Sequence, residues 1–403
     1  MKRRAALLAL ACSAGVASPV AAATQTARSA QAGAPFPFPL APFKALLWGP
    51  AGVWIDGGDI VAQQLLDGSP AGVAAAPGVV WAARDARHLQ SWRPQPDGRW
   101  APAANHRFEE ELHALAASAD GRFLLAAHGE RLSLLDGEAT LLRRYEGRDL
   151  QGRRRARAAN IVAHAGRRSA LVSWPALGEL WEISFDPAAP PNFDGLVHDY
   201  RMGEAIATPG WLGVRRTPLD KPMPEPEFVD ARVPWVAGHV GASTQVVHLD
   251  VRRRVATLPL ADAQPAAALL RRRGDAWTWW LPAADGLHEL DTWRWRTLAH
   301  HELPRDADAP LRVQALQALG ETLWLLASDA AAQARLWLLR ADRWERRDIG
   351  AGRPIALRAD PDLRALWLAT TEPNRIVVLN EDGALLRSWP LPAAGLVQGL
   401  CWL

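Results

Sequence analysis

Three arginines, Arg201, Arg215 and Arg216, lie in a stretch from His198 to Asp220 that also carries Asp199 and Glu204. Guanidinium forks match planar carboxylates, so this stretch has the chemistry to hold an anionic ligand or to order itself through charge-assisted hydrogen bonds. Its sequence, HDYRMGEAIATPGWLGVRRTPLD, has no regular period and is broken by Pro209, Gly210, Gly213 and Pro218. A loop longer than about 12–15 residues in a compact domain is commonly functional, and a solvated surface excursion is the competing reading. His198 and His239 stand among apolar residues, where a core histidine satisfied by its neighbours is commoner than a ligand. Spacing argues against other chemistries. His300-His301-Glu302 lacks the i, i+4 pattern of a zinc-binding helix and, beside Pro304, reads as a loop. Gly68-Ser69-Pro70-Ala71-Gly72 is mis-spaced for a nucleophile elbow, and there is no phosphate-binding glycine loop. No Cys-x-x-Cys-His occurs, which excludes covalent c-type haem by motif.

The residues before the domain point to export. Lys2, Arg3 and Arg4 precede a short apolar run from Ala5 to Val16 and then Ala21-Ala22-Ala23, the pattern of a secretory signal spanning 1–23. That run is shorter than the ~20 residues of a membrane-spanning helix, so no transmembrane segment is expected. Leu10-Ala11-Cys12 carries Ala9 where a lipobox usually has Leu, which argues against lipidation. Residues 24–42, rich in Ala, Gln, Ser and Pro, read as a flexible tether to a domain spanning 43–403. Cleavage would leave Cys401 alone, so the core must be held by packing rather than by an internal disulfide. The formal charge of +3 comes from interleaved acids and bases, which argues against a nucleic-acid partner. Lysine occurs only at Lys2, Lys44 and Lys221, so nearly all of the 46 basic residues are arginine. Codon drift accounts for that bias as readily as an anion site does.

Periodicity predicts an all-β fold, an eight-bladed β-propeller. Apolar, strand-like runs recur every ~40–50 residues, each set broken by Asp-Gly, Gly-x or Pro turns. Leu112 to Gly147 and Ile355 to Pro392 show the full order of four strands. Six further sets centre on Ala45–Leu66, Gly78–Trp100, Asn160–Phe185, Trp235–Leu260, Ala276–Leu298 and Leu323–Ile349. An insertion at about 195–230 interrupts them. The first set lacks an inner strand, and the C-terminal GLVQGLCWL is expected to supply it and close the ring. The 20 Trp residues, many on these strands, are expected to fill the gaps between blades rather than to stack a quinone.

Several segments resemble the haem d1 propeller family, which comprises the d1 domain of cytochrome-type nitrite reductase and periplasmic relatives in haem d1 biosynthesis. They are ELWEISFDP from Glu179, GLVHDYRMGEAIATPG from Gly195, VRRTPLD from Val214 and QVVHLDVRRRVATLPL from Gln245, with RDAR at Arg84 to Arg87 and SADGRFLLA at Ser118 as weaker matches. The likeness is nearest to the biosynthetic dehydrogenase branch and is strong over about Asp149 to Leu260. It implies an eight-bladed propeller whose central pocket holds a d1-type tetrapyrrole, with arginines pairing to its carboxylates and histidines at or near the iron. The chain departs from the family where that chemistry sits. Gln264 or Pro265 falls where the family's Gly-Met-Pro-His-Leu-Gly run has its histidine, and Leu281-Pro282-Ala283 replaces Thr-Pro-His. Pro70, Ala71 or Gly72 takes the axial-histidine position, and Leu311 to Ala315 and Pro354 to Leu357 lack theirs. Neither Pro nor Ala can ligate haem iron.

Three functions follow as expectations. A haem d1 dehydrogenase-type enzyme would have only His113, His239 and Tyr200 left as proton acceptors. A non-catalytic accessory protein would bind haem d1 or a precursor through Arg84, Arg87, Arg157 and the Arg201, Glu204, Arg215, Arg216 loop, or escort a periplasmic denitrification protein. A scaffold would bind another protein through its loops. The missing histidines weigh against the first and the arginine loop against the third, so the second is adopted, with Arg84 pairing to Asp85 or a neighbouring carboxylate as its bland alternative.

Overall fold

The computed structural model describes residues 72–390 apart from short segments, the longest being 194–206, together with the backbone of strands 44–48, 53–56, 63–64 and 399–402. The signal and tether regions, and His198, Tyr200, Arg201 and Glu204, lie outside the described residues. Among the described residues there is no α-helix, and no helix is long and apolar enough to cross a membrane.

Eight four-stranded antiparallel sheets form the blades of a β-propeller. In seven of them the first strand of the set lies at one edge of the sheet and the later strands follow in order. The third blade shows why. β8 (Leu112–Ala117), β9 (Phe123–His128), β10 (Arg131–Asp136) and β11 (Leu141–Glu146) pair consecutively. β9 is buried along its whole length whereas β11 is mostly exposed, so hydrophobicity grades across the sheet from its inner to its outer edge. The turn after β10 is held by Asp136, whose Oδ1 accepts the amides of Glu138 and Thr140. Asn380 does the same for Asp382 and Ala384 between β32 (Arg375–Asn380) and β33 (Leu385–Pro390) of the last blade. Such side-chain acceptors fix a tight turn at the blade's outer corner.

The first blade is completed from the far end of the chain. β1 (Lys44–Trp48) pairs with β2 (Val53–Asp56) on one side and with β34 (Gly399–Trp402) on the other, with Leu46 opposite Cys401. The sheet order places β34 next to β1 and β3 (Gln63–Gln64) at the outer edge. The expected closure is therefore present, and it removes the two open edges a linear array of blades would have.

Blade boundaries differ from the sequence reading in several places, and two of them bear on the residues of interest. The second blade begins at β4 (Val73–Ala76) and ends with β7 (Trp100–Arg107), extending beyond Gly78–Trp100 at both ends. β7 is largely exposed and contains Pro102, so it carries no apolar alternation to reveal it. The blade made of β12 (Asn160–His164), β13 (Ser169–Trp174) and β14 (Glu179–Ser184) takes its fourth strand, β17 (Val214–Pro218), from inside the supposed loop. A short ribbon of β15 (Asn192–Phe193) and β16 (Ala207–Thr208) forms the base of what remains of the insertion.

Packing between neighbouring sheets supplies the core. One cluster joins Leu125 and Leu134 of the third blade to Val172, Trp174 and Trp181 of the next, with Phe123 stacked on Phe185 at 5.3 Å and Trp174 against Trp181 at 4.6 Å. Another joins Trp324 to Leu366 and Leu368. Trp81, Trp174, Trp181, Trp279, Trp324 and Trp367 are fully buried, as expected of residues that fill inter-blade space. Removing residues 399–403 is expected to open the ring, lower the thermal midpoint by 10 °C or more and shift the protein toward oligomers, read by scanning calorimetry and size-exclusion chromatography. A truncated chain that stays monomeric with an unchanged midpoint would show that closure contributes little.

Candidate functional site

Antiparallel alternation places all second-to-third turns and all blade-to-blade connections at one rim of the ring. The first-to-second and third-to-fourth turns lie at the other. This sorts the sequence-predicted residues into two groups.

At the first rim, Arg84 to Arg87 form the turn between β5 (Val79–Ala83) and β6 (His88–Pro94). Asp85 shapes it, accepting the amides of Arg87 at 2.8 Å and His88 at 2.9 Å and the His88 Nδ1 at 2.7 Å. The Arg84–Asp85 ion pair considered from sequence does not form, and the Arg84 and Arg87 side chains are exposed with no ion pair among the described residues. The turn is tied to the next blade: the Arg87 carbonyl accepts the Phe108 amide at 2.9 Å and the Ala86 carbonyl accepts the Leu112 amide at 2.6 Å. His113 follows directly on the inner strand β8. Its Nδ1 lies 3.2 Å from Arg157, which comes from the connection between β11 and β12, and its Nε2 is buried without a hydrogen-bond partner. Burial, assisted by the Arg157 charge, holds the His113 imidazole below its ordinary range, so it is a neutral acceptor. His239 lies near the same rim on β19 (Trp235–Val240), half-buried with Nδ1 unpartnered.

The family's histidine positions hold no ligand here. Pro265 opens a short 3-10 turn, Pro265–Ala267, and Leu281 and Ala283 are buried on β23 (Ala276–Ala283). Pro70 and Ala71 lie outside the described residues.

At the opposite rim the remaining insertion, β14 and the β12–β13 turn line a cavity of about 460 Å³ that includes Arg167, Glu182, Asn192, Phe193, Arg215 and Arg252. Its arginines are committed to the protein. Arg167 grips Glu182 with two hydrogen bonds, at 2.7 and 3.1 Å, and also reaches Asp250 at 2.8 Å. Arg215 bonds the Asp250 carbonyl at 2.6 Å and lies 3.7 Å from Glu182. Arg216 pairs with Glu179 at 2.9 Å, bonds the Arg148 carbonyl at 3.0 Å and covers the Trp181 ring at 4.3 Å. Arg215 and Arg216 are thus strand residues that fasten β17 to β14, and their partners are Glu179, Glu182 and Asp250 rather than the nearby Asp220. Asp220 pairs instead with Arg254. Glu182 stands opposite Arg215 in the β14–β17 register, a pairing invisible until the chain between them is looped out. Six-residue strands span roughly 20 Å, so Arg84, Arg87 and Arg157 at one rim cannot share one ligand with Arg215 at the other, and Arg216, which reaches the Arg148 carbonyl toward the first rim, is already paired with Glu179.

Fold and site together define a closed eight-bladed propeller with an arginine-bearing rim around a neutral histidine. No family model and no curated protein matches the chain. Among solved structures it is similar to the dihydro-heme d1 dehydrogenase NirN in complex with DHE, with 16% identity, a TM-score of 0.68, and coverage of 89% of this chain and 74% of that one. It is also similar to Sqt1 of Saccharomyces cerevisiae, with 10% identity, a TM-score of 0.55, and coverage of 82% and 86%. At these identities the likeness concerns the propeller fold.

Two stability predictions follow. Arg216→Ala removes an ion pair, a carbonyl bond and a cation–π contact, and should cost about 2 kcal/mol in urea unfolding with no ligand present; an unchanged midpoint would free Arg216 for a binding role. Glu227, on β18 (Glu227–Phe228), is buried with Oε1 unpartnered, and burial together with the Glu225 charge pushes its carboxyl up to about 8. The unfolded chain ionises it near 4.5, so from there to about pH 8 the folded state holds the extra proton and stability falls as pH rises. The slope is bounded at about 1.4 kcal/mol per pH unit. Glu227→Gln should flatten it in unfolding curves taken between pH 5 and pH 8.5, and equal slopes would place the carboxyl in its ordinary range.

Proposed function

We propose that this chain is a periplasmic accessory propeller that binds an anionic tetrapyrrole of the haem d1 type at the Arg84, Arg87, Arg157 rim, without itself carrying out the chemistry of haem d1 maturation or nitrite reduction. One observation carries the reading: two guanidiniums with no ion pair among the described residues sit on a turn hydrogen-bonded to the entrance of β8, where a third guanidinium meets a buried imidazole. The sequence resemblance over Asp149 to Leu260 supports it, as does the propeller shared with NirN, a dehydrogenase solved in complex with DHE. Export rests on the Lys2-Arg3-Arg4 leader and its apolar run.

The residues present fit the periphery of such a ring better than its iron. Arg84 and Arg87 can pair with ring carboxylates without breaking an existing contact, and each charge-assisted bond would contribute on the order of 1.5–3 kcal/mol. The bound ring would supply a metal centre and an extended chromophore. Among the described residues only His113 offers an unpartnered imidazole nitrogen on an inner strand, and its Nε2 would have to serve in place of the family's several histidines.

A second reading, a dehydrogenase-type enzyme, is favoured by one feature. His113 is held neutral, and in the tautomer whose Nδ1–H donates to the Glu111 carbonyl at 3.3 Å its Nε2 could accept a proton from a ring substituent brought to it.

Absorbance titration of the mature protein with haem d1, an iron-free d1-type ring and haem b separates these possibilities. Saturable binding of both d1-type rings, weakened tenfold or more by Arg84→Ala with Arg87→Ala at an unchanged thermal midpoint, is the expected result. Binding of the iron form alone, lost in His113→Ala, would favour the enzyme. No shift with any ring would overturn tetrapyrrole binding and leave a scaffold for protein partners.

A further inference from the structure

We infer that Asp285, His288 and His300 form a divalent metal site on the outer half of the blade built from β22 (Leu269–Arg273), β23, β24 (Gly286–Asp291) and β25 (Arg296–His301). Asp285 lies in a second-to-third turn, so the site shares the rim of Arg84 and Arg87, but it sits on another blade and does not rest on the proposed function. His300 belongs to a strand rather than to the loop that His300-His301-Glu302 and Pro304 suggest. It stands directly opposite His288 in the β24–β25 register, and directly opposed residues project from the same face of a sheet.

The two imidazoles lie 4.7 Å apart between ring centroids. Asp285, in the tight turn that leads into β24, brings its carboxylate to them: His288 Nε2 lies 2.8 Å from Asp285 Oδ1, and His300 Nε2 lies 3.1 Å from the Asp285 carbonyl. One ligand atom from each of the three residues falls within 4.8 Å of the others. Zinc bonds of ~2.0–2.2 Å in a tetrahedron set neighbouring ligand atoms about 3.3–3.5 Å apart, so the widest of these separations has to close by at most about 1.4 Å, within reach of a rotation of the exposed Asp285 and His300 side chains. Gly286 is part of the design. A Cβ at that position would lie 2.3 Å from His300 Nε2, so only glycine lets the imidazole reach over the turn.

His288 is buried and fixed, whereas Asp285 and His300 are exposed, which gives the ion a path from solvent and leaves a fourth position for water. Two imidazoles and one carboxylate suit a first-row divalent cation such as Zn²⁺ and are too nitrogen-rich for Ca²⁺ or Mg²⁺. A metal on His288 Nε2 puts the ring proton on Nδ1, which is buried with no acceptor. That missing outer hydrogen bond is commonly worth 10–100-fold in affinity, so binding should be micromolar rather than nanomolar. The ion would tie the turn between β23 and β24 to the outermost strand, bracing an edge that otherwise has only its ladder.

The test is calorimetric titration of the untagged full chain with Zn²⁺, alongside scanning calorimetry of the apo and zinc-loaded protein. One equivalent should bind at micromolar concentration and raise the thermal midpoint by several degrees. His300→Ala should weaken binding at least tenfold while leaving the apo midpoint unchanged, because that side chain is exposed, and Asp285→Asn should weaken it as well. No saturable binding would overturn the site, as would binding undiminished in His300→Ala. In the first case Asp285 and His288 are simply a hydrogen-bonded pair; in the second the ion lies elsewhere.

Discussion

A four-stranded antiparallel sheet is too small to hold itself together, and every blade here depends on having each face covered by a neighbour. β9 and β27 (Thr322–Ser328), each the second strand of its blade, are buried from end to end, which a free-standing sheet with one wet face could not tolerate. The coverage has to run all the way round, because a ring missing one contact exposes two apolar faces at once. That is why the pairing of β34 with β1 matters beyond its few hydrogen bonds, and why Trp and Leu concentrate on the inner three strands while the fourth strand of each blade is left to arginine and polar residues.

With such a frame, the arginines divide by what surrounds them. Arg167, Arg215 and Arg216 lie against half-buried carboxylates and a tryptophan face, where desolvation makes an unpaired guanidinium costly, so they are paired and serve as fasteners. Arg84 and Arg87 lie on an exposed turn, where water solvates the charge and no internal partner is required. Residues of one type, in one chain, thus take opposite roles according to the rim and strand that carry them. The cavity beside the insertion is the less suitable anion site of the two regions, because its guanidiniums already hold Glu182 and Asp250.

Much of the architecture was legible from residue order. Period-two apolar runs, Asp-Gly turns and the orphaned C-terminal strand gave eight blades and their closure, since these signals are local and repeat. Exposed outer strands were harder to read: WAPAANHR forms β7 and VRRTP forms β17 although neither alternates, because an edge strand is held by its ladder and not by burial. The site was legible only in part. The RDAR turn, His113 and Arg157 lie at one rim, whereas Arg215 and Arg216, read from the sequence as part of the insertion, fasten β17 into its blade.

What the sequence determined by itself is therefore the class of fold and the count of repeats, both of which are properties of residues taken in order. What only the tertiary structure decided is which charges meet. Glu182 faces Arg215 across 32 residues of intervening chain, and His288 faces His300 across a bulged pair of strands. Both pairings depend on register, and register is set by turns and by the length of chain looped out, through hydrogen bonds that no side-chain pattern encodes.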